Sequence, residues 1–301
     1  MITTDKAMVV GILESTGDRF MNDVACRLSD IAVEFMSVGG GTVPVERAYR
    51  VVVDRLSFQY AFLRELVKCL SLHGTYVINN PFAAQLTNKL VEILVGNCLG
   101  LTFPKTILLP DKLSIEETDG LVCQPYLDHV AEELGLPCIL KPYDGYAWED
   151  VHVVMSKQDM SQLYHSLGSR RILLAQQLIK YKDYFRAFCF DKRHVLFVKW
   201  IPKPLAMGHY IDTDGGIPAN VNYDLTEMTM KLNEALDLDV NVVEWCVDEE
   251  GRWWIIDAFN EVPDVTPGAL PSRYYTWIVD RFALCIKDKI ESGKSNRIPF
   301  H

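Results

Sequence analysis

Acidic residues interrupt two apolar segments in the last quarter of the chain. Glu244 lies inside one segment and Asp257 ends the next, with Asn260 three residues later. The polar turn between the two segments predicts a β-hairpin. Carboxylates are costly to bury unless a cation compensates them, and Mg²⁺ prefers carboxylate and amide oxygens. These three side chains therefore predict a magnesium site. The alternative is that the carboxylates cap loops or pair with Arg252.

A lysine at a strand end is a candidate phosphate ligand. Lys141 follows the apolar segment 137–140 and precedes Pro142, which holds the backbone extended. An ammonium group in this position suits a nucleotide phosphate. An ordinary strand-end lysine instead extends into solvent, and this motif alone leaves both interpretations open.

A carboxylate and two cations follow on adjacent predicted strands. Asp183 precedes the strand that carries Arg186, and Lys199 lies on the next strand. Arginine offers a bidentate fork and lysine a point charge. Alternation along each strand leads us to expect that Arg186 and Lys199 converge on one anion. An outward-facing charged pair is the alternative.

The elements that position these residues change character along the chain. Apolar strands alternate with helical patterns up to about residue 100, which predicts a layered α/β domain. A second unit of strands and helices follows residue 110. The rest contains strand-like segments and a closing helix near residues 274–290.

Composition excludes several classes of protein. The 301 residues are 49% hydrophobic and 23% charged, which is typical of a packed globular protein of about two domains. Thirty basic against forty acidic residues give a net charge of -10, which disfavours nucleic acid as a partner. No apolar stretch is long enough to cross a bilayer and no signal peptide is recognisable, so we expect a cytoplasmic protein without membrane contact. The eight cysteines contain no CxxC pair and are expected to be reduced.

In their order along the chain, these segments resemble the ATP-grasp superfamily, and within it the bacterial glutathione synthetase-type carboxylate-amine ligases. The resemblance covers most of the chain from Tyr49 onward. It rests on five short motifs: the asparagine-proline turn at 77–81 with segments 87–90 and 101–108, the lysine segment 139–145, the adenine-binding hinge 174–179, the acidic-basic pair 183–186, and the metal residues. No single motif is specific, and their order carries the resemblance.

The resemblance implies a mixed α/β (α+β) architecture, the ATP-grasp fold. Residues 1–107 would form an N-terminal Rossmann-like pre-ATP-grasp domain, residues 108–180 a small central lid domain, and residues 181–301 a C-terminal α+β domain with the metal site. The implied cofactors are ATP and Mg²⁺, and the implied metal ligands are Glu244, Asp257 and Asn260. The residues expected to contact ATP are Lys89, Lys141, Asp144, Gly145, Gln176, Gln177, Ile179 and Asp183. Arg186 and Lys199 would hold the transferred phosphoryl group.

The implied activity is ATP-dependent amide formation through an acyl-phosphate, with release of ADP and phosphate. The partners would be small-molecule carboxylate and amine substrates or a peptide, and a homodimer stays open. Two alternatives use the same scaffold: a kinase acting on a hydroxyl group, and a catalytically silent nucleotide-binding protein with a partner-binding role. The phosphate loop favours the silent nucleotide-binding alternative. In the family this loop is usually rich in glycine, but here it contains only Gly145, with Tyr146 and Trp148 close to it in the sequence.

The metal motif also departs from the family pattern. Asp257 and Asn260 are separated by two residues, one more than the family's spacing. One added residue reverses the facing of everything that follows in a strand, so we predict a β-bulge near Ala258. Asp264 stands where a glycine commonly follows the proline and is a further candidate ligand.

Overall fold

The computed structural model describes residues 9–39, 49–145, 148–169, 171–202, 209–213 and 217–298. Three β-sheets with helices packed on them form a mixed α/β structure, as the sequence predicts. Across these segments no helix is both long enough and apolar enough to span a membrane.

The first sheet is parallel, and three of its four strands are buried on both faces. Its strands are β1 (Val9–Leu13), β2 (Ala32–Phe35), β3 (Val51–Asp54) and β4 (Tyr76–Ile78), in the order β2-β1-β3-β4. Helices α1 (Arg19–Cys26) and α2 (Ala61–Leu72) accompany it, together with the late helix of residues Ser272–Ser292. Val52 packs against Leu63 and Val67 of α2, whereas Val53 faces Phe20 of α1 and the late helix. This two-sided burial explains the continuous valine run in β3.

Two short helices lead out of this sheet. They are α3 (Pro81–Leu86) and α4 (Lys89–Cys98). Asn80 caps α3 by accepting from the backbone N–H of Phe82, and Asn88 caps α4 by accepting from the N–H groups of Leu90 and Val91. The second cap starts α4 at Lys89, so this lysine occupies the first turn of the helix.

The second sheet is antiparallel. Its strands are β5 (Thr106–Leu109), β6 (Cys138–Pro142), β7 (His152–Val154) and β8 (Leu173–Gln177), in the order β5-β8-β6-β7. Helices α5 (Lys112–Glu117), α6 (Leu127–Leu134) and α7 (Lys157–Leu167) belong to this unit. Leu140 and Leu173 pack against Met160 and Tyr164 in its core. Because β5 starts at Thr106, the boundary expected at residue 107 lies inside a strand.

The third sheet is also antiparallel. Its strands are β9 (Tyr181–Phe190), β10 (His194–Ile201), β11 (His209–Ile211), β12 (Val240–Asp248) and β13 (Trp253–Asp257), in the order β11-β10-β9-β12-β13. Helix α8 (Ala219–Ala235) covers one face, where Leu232 packs against Val243 and Trp245. The late helix, α9 (Ser272–Ser292), joins the opposite face to the first sheet, because Phe282 packs in one core with Phe188 and Val53.

A β-bulge interrupts the hairpin of β12 and β13. Trp245 lies opposite Ile255, but Glu244 lies opposite Asp257, so Ile256 is the extra residue. The predicted bulge therefore exists, but it lies at Ile256 and not near Ala258. Because Ile256 is left out of the pairing just before Asp257, this carboxylate lies opposite Glu244.

Where the chain leaves β13, the side chain of Asn241 takes the place of backbone hydrogen bonds between strands. Asn241 donates from Nδ2 to the carbonyl oxygen of Ala258 (2.7 Å) and accepts at Oδ1 from the N–H of Asn260 (2.8 Å). Its amide group thus copies the two hydrogen bonds that a strand residue would make. The segment after Asp257 is held beside β12 although it is no longer a strand.

The chain after α9 closes the edge of β4 in a similar way. Asn296 accepts from the N–H of Val77 (2.8 Å) and donates to its carbonyl oxygen (2.9 Å). The hydroxyl group of Ser71 also donates to Asn296 Oδ1 (3.0 Å). Both backbone groups of Val77 are therefore satisfied by a residue more than two hundred positions away.

We expect Asn296→Ala to lower the free energy of unfolding by about 1–3 kcal/mol, because it leaves buried polar groups of Val77 without partners. Urea unfolding followed by circular dichroism measures this. The matched control is Asn22→Ala, which removes exposed hydrogen bonds to Thr16 and Asp18 and should change stability by less than about 0.5 kcal/mol. Equal midpoints for Asn296→Ala and the wild type would contradict the prediction.

Candidate functional site

A cavity of 940 Å³ lies where the three sheets meet. It brings together residues that are far apart in the sequence. The predicted site residues that line it are Lys89, Lys141, Asp144, Gly145, Gln176, Gln177, Ile179, Arg186, Glu244, Asp257 and Asn260. Asp264 lines it as well.

Lys141 enters the cavity from β6 and is almost fully buried. Its Nζ donates to Oε1 of Gln176 (2.9 Å), and Nε2 of Gln176 donates to the hydroxyl oxygen of Thr106 (2.8 Å). Burial, followed by the positive charge of Lys89, lowers the pKa of Lys141 to about 8. No carboxylate pairs with Lys141 among the described residues, so its ammonium group is available to an anionic ligand.

Lys89 approaches the same region from the first turn of α4. Its Nζ lies 2.5 Å from Oδ2 of Asp257. Burial alone would lower the pKa of Lys89, but the charges of Asp257 and Glu92 raise it. The same pairing with Lys89, helped by Lys141, outweighs burial and lowers the pKa of Asp257. Both groups are therefore charged at neutral pH.

Glu244 is 7% exposed and is held by three side-chain donors. Nε and Nη2 of Arg186 donate to Oε1 (3.0 and 2.8 Å), and the hydroxyl group of Tyr184 donates to Oε2 (2.5 Å). Burial acts to lower the pKa of Arg186, but Glu244 raises it above its ordinary value. The guanidinium group also lies 3.7 Å from the ring centre of Trp200 and donates to the hydroxyl oxygen of Tyr210 (2.9 Å). Arg186 is thus fixed in one orientation.

The expected convergence of Arg186 and Lys199 is wrong. Arg186 lies opposite Val198 in the ladder, and Lys199 lies opposite Phe185, so the two cations point to opposite faces of the sheet. Lys199 forms an ion pair with Asp183 on its own face. Within the described chain, neither Lys199 nor Asp183 lines the cavity.

The donor set of the cavity fits a magnesium ion that is completed by phosphate oxygens. Glu244 and Asp257 lie opposite one another on adjacent strands. Asn260 donates from Nδ2 to the carbonyl oxygen of Val242 (3.1 Å), and its Oδ1 has no hydrogen-bond partner among the described residues. The same residues contain no cluster of three histidine, cysteine or carboxylate ligands. Two carboxylates, one amide oxygen and a nucleotide's phosphates match what Mg²⁺ uses in phosphate-binding sites.

The segment expected to cover the phosphates is described in part. Asp144, Gly145 and Trp148 line the cavity, and Trp148 is 40% exposed. Tyr146 lies outside the described residues. The carbonyl oxygen of Tyr143 accepts from the N–H of Lys89 (3.2 Å), which ties this segment to the start of α4.

Sequence reasoning missed one acidic residue that lines the cavity, Glu261, and two residues that support the chain beside it, Glu92 and Asn241. Glu92 is buried one turn after Lys89 and accepts from the N–H of Ala258 (2.9 Å). Its signal was an acidic residue inside the apolar pattern of a predicted helix. Glu261 lines the cavity, and burial, with the nearby negative charge of Asp54, raises its pKa to about 7. Asn241, which holds the chain after β13, has no signal in the sequence because its partners are distant.

The lowered pKa of Lys141 predicts pH-dependent anion binding. Its ammonium group loses charge as the pH rises through about 8, so affinity for ATP without metal should fall about eightfold between pH 7.5 and 9 if the charged form binds. Calorimetric titration at both pH values measures this. In Lys141→Met the affinity should be weak and the same at both values. A wild-type affinity that is equal at both values would contradict the assignment of Lys141 to anion binding.

No family model and no curated protein sequence matches the chain. Solved structures do match over nearly the full length. The ATP-grasp ligase PsnB complexed with a minimal precursor is 14% identical, with 96% of this chain and 99% of that chain covered and a TM-score of 0.65. D-alanine–D-alanine ligase from Bacillus anthracis complexed with ATP is 14% identical, with 95% and 97% covered and a TM-score of 0.69.

The RimK domain protein ATP-grasp from Sphaerobacter thermophilus is 17% identical, with 92% of this chain and 98% of that chain covered and a TM-score of 0.66. These matches agree with the resemblance found in the sequence. The chain has the ATP-grasp fold.

Proposed function

We propose that the protein is an ATP-dependent carboxylate-amine ligase that forms an amide and releases ADP and phosphate. Its substrates would be small molecules or a peptide. Structurally similar proteins act as ATP-grasp ligases, and they have been solved with ATP or with a precursor. We propose that the cavity is the active site and that the predicted residues lining it are its functional residues.

One observation carries the proposal. One buried and one largely buried cation, together with two opposed carboxylates, line a single cavity, and each comes from a different element. Lys141 comes from β6, Lys89 from α4, Glu244 from β12 and Asp257 from β13. Anion-binding and metal-binding groups of this kind, side by side in a partly closed space, are what phosphoryl transfer requires.

The chemistry needs positioning more than acid or base groups. A substrate carboxylate oxygen attacks the γ-phosphorus of ATP, the bond to the β-phosphate oxygen breaks, and ADP leaves. An amine then attacks the acyl carbon of the mixed anhydride, loses its proton, and expels phosphate to leave the amide. Lys89 and Lys141 would hold the phosphates and offset their charge. Glu244, Asp257 and Asn260 would hold Mg²⁺, which supplies charge neutralisation when bound.

Arg186 has a different role from the expected one of holding the transferred phosphoryl group. Its fork is occupied by Glu244, so we assign it to orienting this carboxylate. Lys199 and Asp183, on the opposite face, have no part in the proposed site.

We expect Lys141→Ala to weaken binding of Mg-ATP at least about tenfold, because one buried charge that contacts phosphate is removed. Calorimetric titration of ATP with and without Mg²⁺ measures this. Lys157→Ala is the matched control, since Lys157 is an exposed lysine of the same unit paired with Glu132. Equal affinities in Lys141→Ala and wild type would refute the assignment of the nucleotide site.

We expect Asp257→Asn to lower Mg²⁺-dependent ADP release about a hundredfold, because it removes one of two carboxylate charges and keeps the size of the side chain. ADP release is measured with a mixture of the common amino acids as carboxylates and amines. Asp128→Asn, at an exposed position of α6, is the control. ADP formed at the same rate without any amine would favour the kinase alternative, and tight ATP binding without ADP release would favour the silent alternative.

A further inference from the structure

The N-terminal side of the cavity carries a cation that the ligase chemistry does not use. The basic side chains that line the cavity among the described residues are Arg64, Lys89, Lys141 and Arg186. Lys89 and Arg186 are paired with carboxylates, and Lys141 is held by the amide group of Gln176. Arg64 has no carboxylate partner in the described part of the chain. It is therefore the lining cation with neither a counter-ion nor an assigned role.

Backbone carbonyl groups fix the orientation of Arg64. The residue lies in the first turn of α2, and its Nη1 donates to the carbonyl oxygens of Ser57 (3.4 Å) and Phe58 (3.2 Å). These bonds occupy one of the three guanidinium nitrogens. Nε and Nη2 make no hydrogen bond to any described residue. Two adjacent N–H donors of this kind are the fork that binds a carboxylate through parallel hydrogen bonds.

The carboxylate of Asp54, at the end of β3, does not pair with this fork. Asp54 lines the cavity, but its Oδ1 accepts from the N–H groups of Leu56 and Ser57, and its Oδ2 accepts from the hydroxyl group of Ser57. Ser57 thus stands between Asp54 and Arg64, donating to the first and accepting from the second. In a chain with a net charge of -10, a local cation of this kind is where an anionic ligand gains attraction.

We propose that Arg64 binds a carboxylate group of the substrate through Nε and Nη2, so that this end of the cavity selects anionic carboxylates over neutral analogues. The inference rests on the proposed function, because it names the substrate class of the same cavity. Arg64 belongs to the helix of the first sheet, whereas the phosphate and metal residues come from α4 and the other two sheets. The carboxylate that Arg64 holds serves to recognise the substrate and is distinct from the carboxylate that attacks ATP.

The test uses glutarate as the probe and glutaramide as its neutral counterpart. In protein labelled with ¹⁵N-arginine, the Nε–H signal of Arg64 is identified by its loss in Arg64→Lys. We expect a saturable shift of this signal with glutarate and none with glutaramide. Ligand-observed NMR should show glutarate affinity at least about tenfold weaker in Arg64→Met, because a charged bidentate contact is lost. Lys68→Met, one turn further along α2 and paired with Glu65 in the wild type, should bind glutarate as the wild type does.

Three results would overturn the proposal: no response of Arg64 to glutarate, an equal response to glutaramide, or undiminished affinity in Arg64→Met. If Arg64→Met fails to fold by circular dichroism, Arg64→Lys replaces it, since lysine keeps the charge without the fork and should still bind glutarate more weakly.

ATP titration separates this inference from the proposed function. We expect ATP affinity in Arg64→Met to stay within about twofold of the wild type, because Arg64 lies outside the proposed phosphate site. Glutarate binding through Arg64 in a protein that does not bind ATP would support this inference and contradict the ligase. Normal ATP binding with no glutarate response would overturn this inference and leave the ligase standing.

Discussion

Two negative charges lie opposite each other on neighbouring strands, and much of the cavity is organised around their compensation. Glu244 and Asp257 would repel one another in a poorly solvated hairpin if each lacked a partner. Glu244 is balanced by Arg186 from the adjacent strand β9, and Asp257 by Lys89 from outside the sheet. The second pairing requires that α4 begin at the right residue, which the Asn88 cap ensures. A long-range ion pair therefore depends on a local capping hydrogen bond.

The bulge at Ile256 is the backbone counterpart of this arrangement. Without the bulge, Ile256 would pair with Glu244, and Asp257 would fall on the opposite face of the sheet and would not share the cavity with Glu244. The cost is that the chain leaves its regular pairing with β12 directly after Asp257. Asn241 and Glu92 offset it by supplying hydrogen bonds to Ala258 and Asn260. The irregular segment is thus supported from both the sheet and α4.

Local patterns in the sequence predicted the hairpin and the position of Lys141 at the end of β6, and the departure from the family's metal motif predicted a bulge. These patterns failed where the direction of a side chain depends on how two strands pair. Alternation within β10 does not reveal that Lys199 lies opposite Phe185, and this register sends it away from Arg186. The bulge was misplaced for the same reason, since its position follows from partners on β12. Arg64 gave no signal because a charged residue on an amphipathic helix interrupts no local pattern, and Asn241 gave none because its partners lie on another segment of the chain.

The last long helix completes the core of the first sheet. Residues of α9 pack with Val53 and Phe20, and Asn296 covers the open edge of β4. During synthesis on the ribosome, the strands of the first sheet emerge some two hundred residues before these partners. Part of one face of the sheet and one of its edges therefore stay uncovered until residues 272–296 have been made. The first sheet cannot reach its final packing before then, so segments far apart in the sequence fold as one unit.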